Sequence, residues 1–423
     1  MNKKIILALT SIAMLVLLAA CGNADANTAS GTEDSGKVTL TMWYWGDESP
    51  EIEAKVNEQF DNVELKVEKL PSGEDFKTRL QTTLAGGGEG PDIVAMDSWI
   101  SEFLPHHDMF VDLYDYGAEE LEDTYLEWKL EMATAKTDDG DKLIALPIDI
   151  GPIALYYRAD LFEQAGLPSE PEDVAKEIQN WDDYIAASKK VYEATGAKMY
   201  TIDEIYRNVI GQSDKLYFDE NDNFIADQEH VKNAFDTAVR AYQEGLTFVS
   251  ESGSEKRAAM NTGDVGSLIH AMWFKGDVVN SAPDHAGNWR IAFPPGGGGN
   301  QGGSFMGILN SSEHPEEAYE VLKWYLNPEN QLDNLVNHGL FPSTPEVYDA
   351  PEMQVEEEFF GGQVVNEVFA QSAEDVKIAY RSPNDSLVES SILEQFQLIV
   401  NENKDPEKAW NDAIDRAKSQ LSK

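Results

Sequence analysis

Residues 38–45, VTLTMWYW, open an ordered pattern that continues to residue 97. Their β-branched and aromatic side chains predict a strand, and a helical pattern follows over residues 52–60. The alternation repeats with a strand at 63–70, a helix at 76–84 and the apolar strand PDIVAMD at 91–97. Because strands alternate with helices, the sequence predicts an α/β fold with a largely parallel sheet and helices on both faces.

Two later helices are marked by their N-terminal residues. Asn180 precedes Trp181 and a pair of aspartates, and Asp405 precedes Pro406. Asn and Asp side chains cap exposed backbone N–H groups, and proline suits the first helical turn. We therefore expect helices to begin directly after residues 180 and 405.

The length and charge of the chain limit its possible functions. Its 423 residues, 42% of them hydrophobic, are enough for two or three domains with sizeable cores. The formal net charge of −45 repels nucleic acid and anionic lipid headgroups, so neither is an expected partner. The charge indicates a solvated acidic surface and does not identify a ligand.

The N-terminus has the pattern of an export signal. Two lysines precede a mostly apolar run over residues 5–20, which is short for a membrane span. The only cysteine, Cys21, follows Leu-Ala-Ala and resembles a bacterial lipobox, although an ordinary signal peptide that contains a cysteine is the alternative. We expect a signal peptide at 1–20 and a lipidated Cys21 that begins a flexible tether at 21–37. The mature protein would then be exported and lipid-anchored to the outer face of the cytoplasmic membrane.

Short motifs follow one another in a recognisable order across almost all of residues 38–423. They are LTMWYWG at 40–46, AGGGEGPDI at 85–93, LPID at 146–149, YYRADLF at 156–162, GLP at 166–168, AAM at 258–260 with Trp273, FMGI at 305–308 and GLFP at 339–342. Each motif is weak alone, but the ordered set behind a lipobox resembles the extracellular solute-binding proteins of bacterial ABC importers. The resemblance is to the family that contains maltose- and oligosaccharide-binding proteins. Arg158 stands where that family usually has asparagine.

The resemblance implies a two-lobed, type II periplasmic-binding-protein-like fold, in which the chain crosses three times between hinged lobes. The crossings are expected near residues 147–151, 308–311 and 341–347. The expected lobes are 38–148 plus 310–342 and 149–309 plus 343–423. The lobes would close over a ligand in the cleft, driven by contacts that are better made in the closed form.

The same resemblance implies a function. The protein would be a monomer without catalytic activity, cofactor or metal. It would capture a mono- or oligosaccharide and deliver it to the transmembrane subunits of an ABC permease.

A site that binds a sugar needs aromatic rings that stack on the C–H patches of the sugar. It also needs carboxylates that accept hydrogen bonds from the sugar hydroxyls. In α/β proteins such sites lie beyond the carboxyl ends of strands. The candidates are therefore the aromatic and acidic side chains at strand ends and crossings, of which Asp149 and Trp273 also match family motifs. They are Trp43, Tyr44, Trp45, Asp47, Asp97, Trp99, Asp149, Trp273, Phe305 and Phe341.

Other chemistries leave weaker signals. A glycosidase needs two carboxylates, which any chain with 77 acidic residues can supply, and no Gly-x-Ser-x-Gly or His-Glu-x-x-His motif is present. The histidines at 106 and 107 are expected in a solvated loop rather than a metal site, and the glycine-rich residues 294–303 in a mobile loop. A polyamine, peptide or ferric chelate remains an alternative cargo, because polyamine sites also combine aromatics with carboxylates.

Overall fold

The structure is a computed structural model that describes residues 36–87, 90–250 and 252–422. The predicted signal peptide, Cys21 and the tether up to residue 35 lie outside the described residues.

Strands and helices alternate over residues 38–96, four strands then follow one another over residues 134–158 apart from short loops, and helices make up the chain after residue 308. The strands are β1 (Val38–Tyr44), β2 (Val63–Lys69), β3 (Ile93–Met96), β4 (Thr134–Thr137), β5 (Gly140–Leu143), β6 (Leu146–Pro147), β7 (Ile153–Arg158), β8 (Lys198–Met199), β9 (Val265–Ala271), β10 (Trp289–Ala292) and β11 (Phe305–Ile308). The helices are α1 (Ser49–Gln59), α2 (Glu74–Gly86), α3 (Glu127–Glu131), α4 (Ala159–Gln164), α5 (Pro171–Glu177), α6 (Trp181–Thr195), α7 (Ile202–Gly211), α8 (Glu229–Gln243), α9 (Gly253–Thr262), α10 (Lys275–Ser281), α11 (Pro315–Tyr325), α12 (Pro328–His338), α13 (Val365–Glu374), α14 (Asp385–Glu402) and α15 (Pro406–Leu421). Asn180 and Asp405 cap α6 and α15 as predicted, accepting hydrogen bonds from the backbone N–H groups of Asp183 and Lys408.

The first sheet has the order β2-β1-β3-β11-β6. β1 runs parallel to β2 and β3, whereas β11 runs antiparallel to both of its neighbours. All residues of β3 and β11 are buried, because apolar side chains cover both faces of the sheet centre. We call the part of the molecule built on this sheet lobe 1.

The second sheet, in lobe 2, has the order β10-β7-β9-β8. The prediction of a largely parallel sheet is wrong here, because β7 runs antiparallel to both neighbours and only β8 and β9 run parallel. Side chains of β7 alternate between two cores: Ile153, Leu155 and Tyr157 enter one, and Ala154 and Tyr156 enter the other. This period of two places a buried layer on each face of the sheet.

Three segments pass between the sheets side by side. Ile148 donates its backbone N–H to Ser304 at 2.8 Å, and Gln301 donates to Gly151 at 2.8 Å, so the first and second segments are joined twice. The third segment is joined to the first by Ile150, which donates to Phe341 at 2.9 Å. We call these segments the first, second and third crossings.

β11 belongs to the first sheet. It pairs with β3 and β6, so the chain is already part of that sheet at Phe305, before the crossing expected near 308–311. The expected lobe bounds stay a prediction. The sequence of an apolar four-residue strand does not indicate which sheet the strand joins, because sheet membership depends on the strands with which it pairs.

The glycine-rich segment after β10 is held in place rather than mobile. Gly298 donates its N–H to Asp375 at 2.7 Å, and Gly299 accepts from Ile153 at 3.0 Å. A Cβ atom on Gly298 would lie 2.2 Å from the carbonyl oxygen of Ser372, so the backbones approach closely. The prediction of a mobile loop fails, because the glycines here allow two backbone segments to pack closely and do not serve to make the backbone flexible.

Candidate ligand-binding site

Asp149 lies in the first crossing, at the joint with the second. Its side chain is only 6% exposed, and its Oδ1 accepts a hydrogen bond from the backbone N–H of Ser304 at 2.7 Å. Burial raises the pKa of the Asp149 carboxyl, while the charge of Lys129 and the Ser304 hydrogen bond oppose the rise. The carboxylate is therefore a polar acceptor fixed between the two lobes.

Lys129, on α3, is the cation beside this carboxylate. It is completely buried, and its Nζ lies 3.7 Å from the ring centre of Phe305. No hydrogen-bond partner for Nζ occurs among the residues that the structure describes. Burial lowers the pKa of Lys129, whereas Asp149 and Asp97 oppose that change. The sequence analysis missed Lys129, because a single lysine in a short helix gives no sign of being buried.

Trp273 lies at the same joint on the lobe 2 side. It follows β9, its ring is 47% exposed, and its Nε1 donates to the Gln301 carbonyl at 2.9 Å. Gly151 faces this contact so closely that an added Cβ would lie 2.0 Å from the same carbonyl oxygen. An aromatic face is thus presented beside the crossings, as a sugar-binding role for Trp273 requires, and that role stays a prediction.

The lobe 1 strand ends bring Trp45, Asp97 and Trp99 into one neighbourhood. Trp45 and Trp99 both contact Phe76, at ring-centre distances of 5.1 Å and 6.4 Å. All three candidates are half-buried, and Asp97 is close enough to affect the pKa values of Lys129 and Asp149. Their spacing follows from adjacent parallel strands that end at one sheet edge, and their role in a site stays a prediction.

Groups from lobe 2 approach this neighbourhood. Arg381, just before α14, repels the charge of Lys129, and Ser386 donates to Glu102 of lobe 1 at 2.7 Å. Glu204 on α7 accepts from the Gln301 side chain at 3.0 Å, and burial raises its pKa. The sequence analysis missed these residues, because a polar residue in a helix or loop gives no local sign that it meets another lobe.

Four aromatic candidates are buried in this structure, and their role in a site stays a prediction. They are Trp43, Tyr44, Phe305 and Phe341, all at most 8% exposed. The Arg79 guanidinium covers Trp43 at 4.3 Å, Tyr44 donates to Glu48, and Lys129 covers Phe305. Phe341 packs in the core against two other aromatic rings. These rings are used in packing, because Trp43 and Tyr44 lie at the buried end of β1, Phe305 lies in the fully buried β11 and Phe341 belongs to the hydrophobic core.

The remaining predictions concern Asp47 and metal binding. Asp47 is fully exposed and pairs with Lys69 at the surface, where the Lys69 ammonium lowers the pKa of its carboxyl. Within residues 36–87, 90–250 and 252–422, no group of three or more His, Cys, Asp and Glu side chains is placed to hold a metal ion. A site role for Asp47 stays a prediction.

Two α/β lobes joined by three adjacent crossings, with polar and aromatic groups gathered there, define a two-lobed solute-binding protein. Residues 45–332 match the model of the bacterial extracellular solute-binding protein family, and the chain belongs to that family. The resemblance found in the sequence is thereby confirmed.

Three relatives show how far the similarity extends. The chain is 28% identical to the lactose-binding protein of Rhizobium radiobacter, over 70% of this chain and 72% of that one. It is 26% identical to the arabinooligosaccharide-binding protein of Halalkalibacterium halodurans, over 89% of this chain and 87% of that one. A crystal structure of an extracellular solute-binding protein of family 1 superposes with a TM-score of 0.85 at 28% identity, covering 90% of this chain and 99% of that chain.

Family membership decides the class of activity and the compartment. The family comprises binding proteins of ABC transporters and not enzymes, so the glycoside hydrolase alternative is wrong. It is an extracellular family, which makes the chain an exported protein. In the part of the chain that the structure covers, every helix is too short or too polar to cross a bilayer.

Proposed function

We propose that the protein binds a neutral mono- or oligosaccharide between its lobes and delivers it to an ABC permease. The observation that carries the proposal is the half-exposed ring of Trp273 beside the joint that holds Asp149. An indole face stacks on the C–H patches of a sugar ring, and a carboxylate accepts hydrogen bonds from its hydroxyls. The named sugar ligands of the two sequence relatives support the same ligand class.

The charges near the joint favour a neutral ligand over a polyamine. Lys129 and Arg381 accompany the carboxylates of Asp149 and Asp97, so this neighbourhood contains both signs of charge. A polyamine site would require unopposed carboxylates, since like charges at close range disfavour a cationic ligand. The large negative charge of the whole chain is spread over its surface and does not alter this local balance.

Calorimetric titration with lactose, arabinotriose and spermidine tests the proposal. We expect heat of binding with at least one of the two sugars and none with spermidine. Trp273→Ala should weaken sugar binding by about tenfold, or about 1.4 kcal/mol, because the stacking face is lost. Tyr192→Ala, which removes an exposed aromatic ring of α6 elsewhere on lobe 2, is the matched control and should bind normally. Binding of spermidine alone would contradict the proposal.

We also propose that Cys21 is acylated and that the mature protein is a monomer tethered to the membrane by its lipid. The lipobox-like sequence before Cys21 supports the modification. In cells fed an alkyne-labelled fatty acid, the wild-type protein should carry the label in the membrane fraction, and Cys21→Ser should not. Light scattering of a form lacking residues 1–21 should give the mass of one chain. Label on Cys21→Ser, or the mass of a dimer, would contradict these assignments.

A further inference from the structure

Lys129 places its amino group where a positive charge is costly, and burial lowers its pKa to about 7. The side chain is fully buried against Phe305, and a Cβ atom on Gly303 would lie 2.8 Å from its Nζ. A buried ammonium is tolerated only near compensating charge. The same Cβ would lie 2.8 Å from the backbone carbonyl oxygen of Asp149, so Lys129 and Asp149 approach each other across Gly303. The charges that act on Lys129 are those of Asp149, of Asp97 at the end of β3 and of Arg381 before α14. Two of these three groups are carboxylates, so Lys129 is the counter-cation of an acidic pair.

Asp149 depends on that counter-cation. The groups that face its carboxyl are Lys129, the like charge of Asp97, Ser304, which donates at 2.7 Å, and the hydroxyl of Tyr44. Burial and Asp97 both favour the protonated acid, while Lys129 and Ser304 favour the carboxylate. Without Lys129, a single backbone N–H and the Ser304 side chain would have to keep a buried carboxylate ionised.

We infer that Lys129 is a positioning residue for ligand binding, which keeps Asp149 ionised and aligned with Ser304 at the joint of the first two crossings. The inference rests on the proposed function, in which Asp149 accepts a hydrogen bond from a ligand hydroxyl. A protonated Asp149 would lose part of that acceptor capacity and would weaken its hold on the second crossing. Lys129 thus acts through Asp149 and not by contact with the ligand.

The pH profile of sugar affinity tests this role. Affinity for lactose or arabinotriose is measured between about pH 5.5 and about pH 8.5 for the wild type, Lys129→Met, Lys129→Arg and Asp149→Asn. We expect a nearly flat wild-type profile above about pH 6.5 and a loss of about tenfold in Lys129→Met for each pH unit below the raised pKa of Asp149. Lys129→Arg should restore the flat profile, and Asp149→Asn should bind weakly at every pH. Parallel profiles for the wild type and Lys129→Met would overturn the inference.

A second measurement needs no ligand and separates the inference from the proposed function. An aspartate whose folded pKa exceeds its unfolded value loses stability as pH rises between the two values. The melting temperature of Lys129→Met should therefore fall between about pH 5 and about pH 8, and adding Asp149→Asn should remove that fall. The comparison is made between these two variants, because the wild type also contains the titration of Lys129, whose pKa burial lowers to about 7. Equal slopes in the single and double variants would overturn the pairing. If the wild type binds neither sugar, the proposed function fails, and these slopes still decide the role of Lys129.

Discussion

His270 supports the Trp273 ring from inside lobe 2. Its imidazole contacts Trp273 edge-on at a ring-centre distance of 4.7 Å and stacks on Phe274 at 4.0 Å. The side chain is buried, and burial lowers its pKa to about 3. The imidazole is therefore neutral at physiological pH, and the orientation of the candidate stacking residue depends on a neutral ring.

At the scale of this residue, we predict an acid-dependent loss of stability. The unfolded chain takes up a proton on histidine below about pH 6.5, whereas folded His270 does not until about pH 3. Stability should thus fall as pH decreases through this window, by up to about 1.4 kcal/mol per pH unit for one proton. Thermal unfolding of His270→Gln should show a shallower decline, and exposed His106→Gln should follow the wild type. A decline in His270→Gln as steep as in the wild type would refute the assignment.

At the scale of the element, the segment between β10 and the second crossing is a strap that packs against α13. Pro294, Pro295, Gly298 and Gly299 are buried, and Gln212 of lobe 2 donates to the carbonyl of Pro295 at 2.9 Å. The strap fixes where the second crossing begins and hence where Gln301 meets Trp273.

Gly298→Ala should disturb this strap. The added methyl group would lie 2.2 Å from the Ser372 carbonyl and 2.9 Å from the Asp375 Cβ, both of which belong to the α13 region. Overpacking of this kind costs about 1–3 kcal/mol, which should lower the melting temperature by several degrees.

The matched control for the strap is Gly276→Ala in α10. No atom lies within 4 Å of an added Cβ there, and alanine favours a helix over glycine. The control should be neutral or slightly stabilising. Equal melting temperatures for Gly298→Ala and Gly276→Ala would contradict the prediction, because they would show that the strap accommodates the added methyl group without loss of stability.

At the scale of the whole molecule, a side-chain hydrogen bond joins the two lobes. Ser386 at the start of α14 donates to Glu102 of lobe 1 at 2.7 Å, and Lys77 pairs with the same carboxylate at 3.1 Å. A contact made between lobes stabilises only the conformation in which they meet.

Ser386→Ala should therefore shift the population toward a more open form. A net hydrogen bond contributes about 0.5–1.5 kcal/mol, so sugar affinity should fall by roughly two- to tenfold. Small-angle scattering of the ligand-free variant should give a larger radius of gyration. Thr82→Ala, which removes a hydrogen bond within α2, is the control and should change neither quantity. An unaltered radius and affinity in Ser386→Ala would count against closure through this contact.

The sequence by itself determined the elements and the family. Strand and helix periodicity located β1, β2 and β3, and side-chain chemistry identified the caps of α6 and α15, because both depend on neighbours within a few residues. The ordered motifs placed the chain among solute-binding proteins, and the LPID motif led to Asp149.

Only the tertiary structure decided which of these residues lie near one another and which remain exposed. Trp45, Trp99 and Trp273 keep partly exposed rings, while Phe305 and Phe341 are covered by groups far away in the chain. The same holds for the sheet that β11 joins and for the burial of Lys129 beside Asp149. Local patterns specify the conformation of a segment, whereas exposure, sheet partners and charge pairing depend on contacts between segments that are remote in sequence.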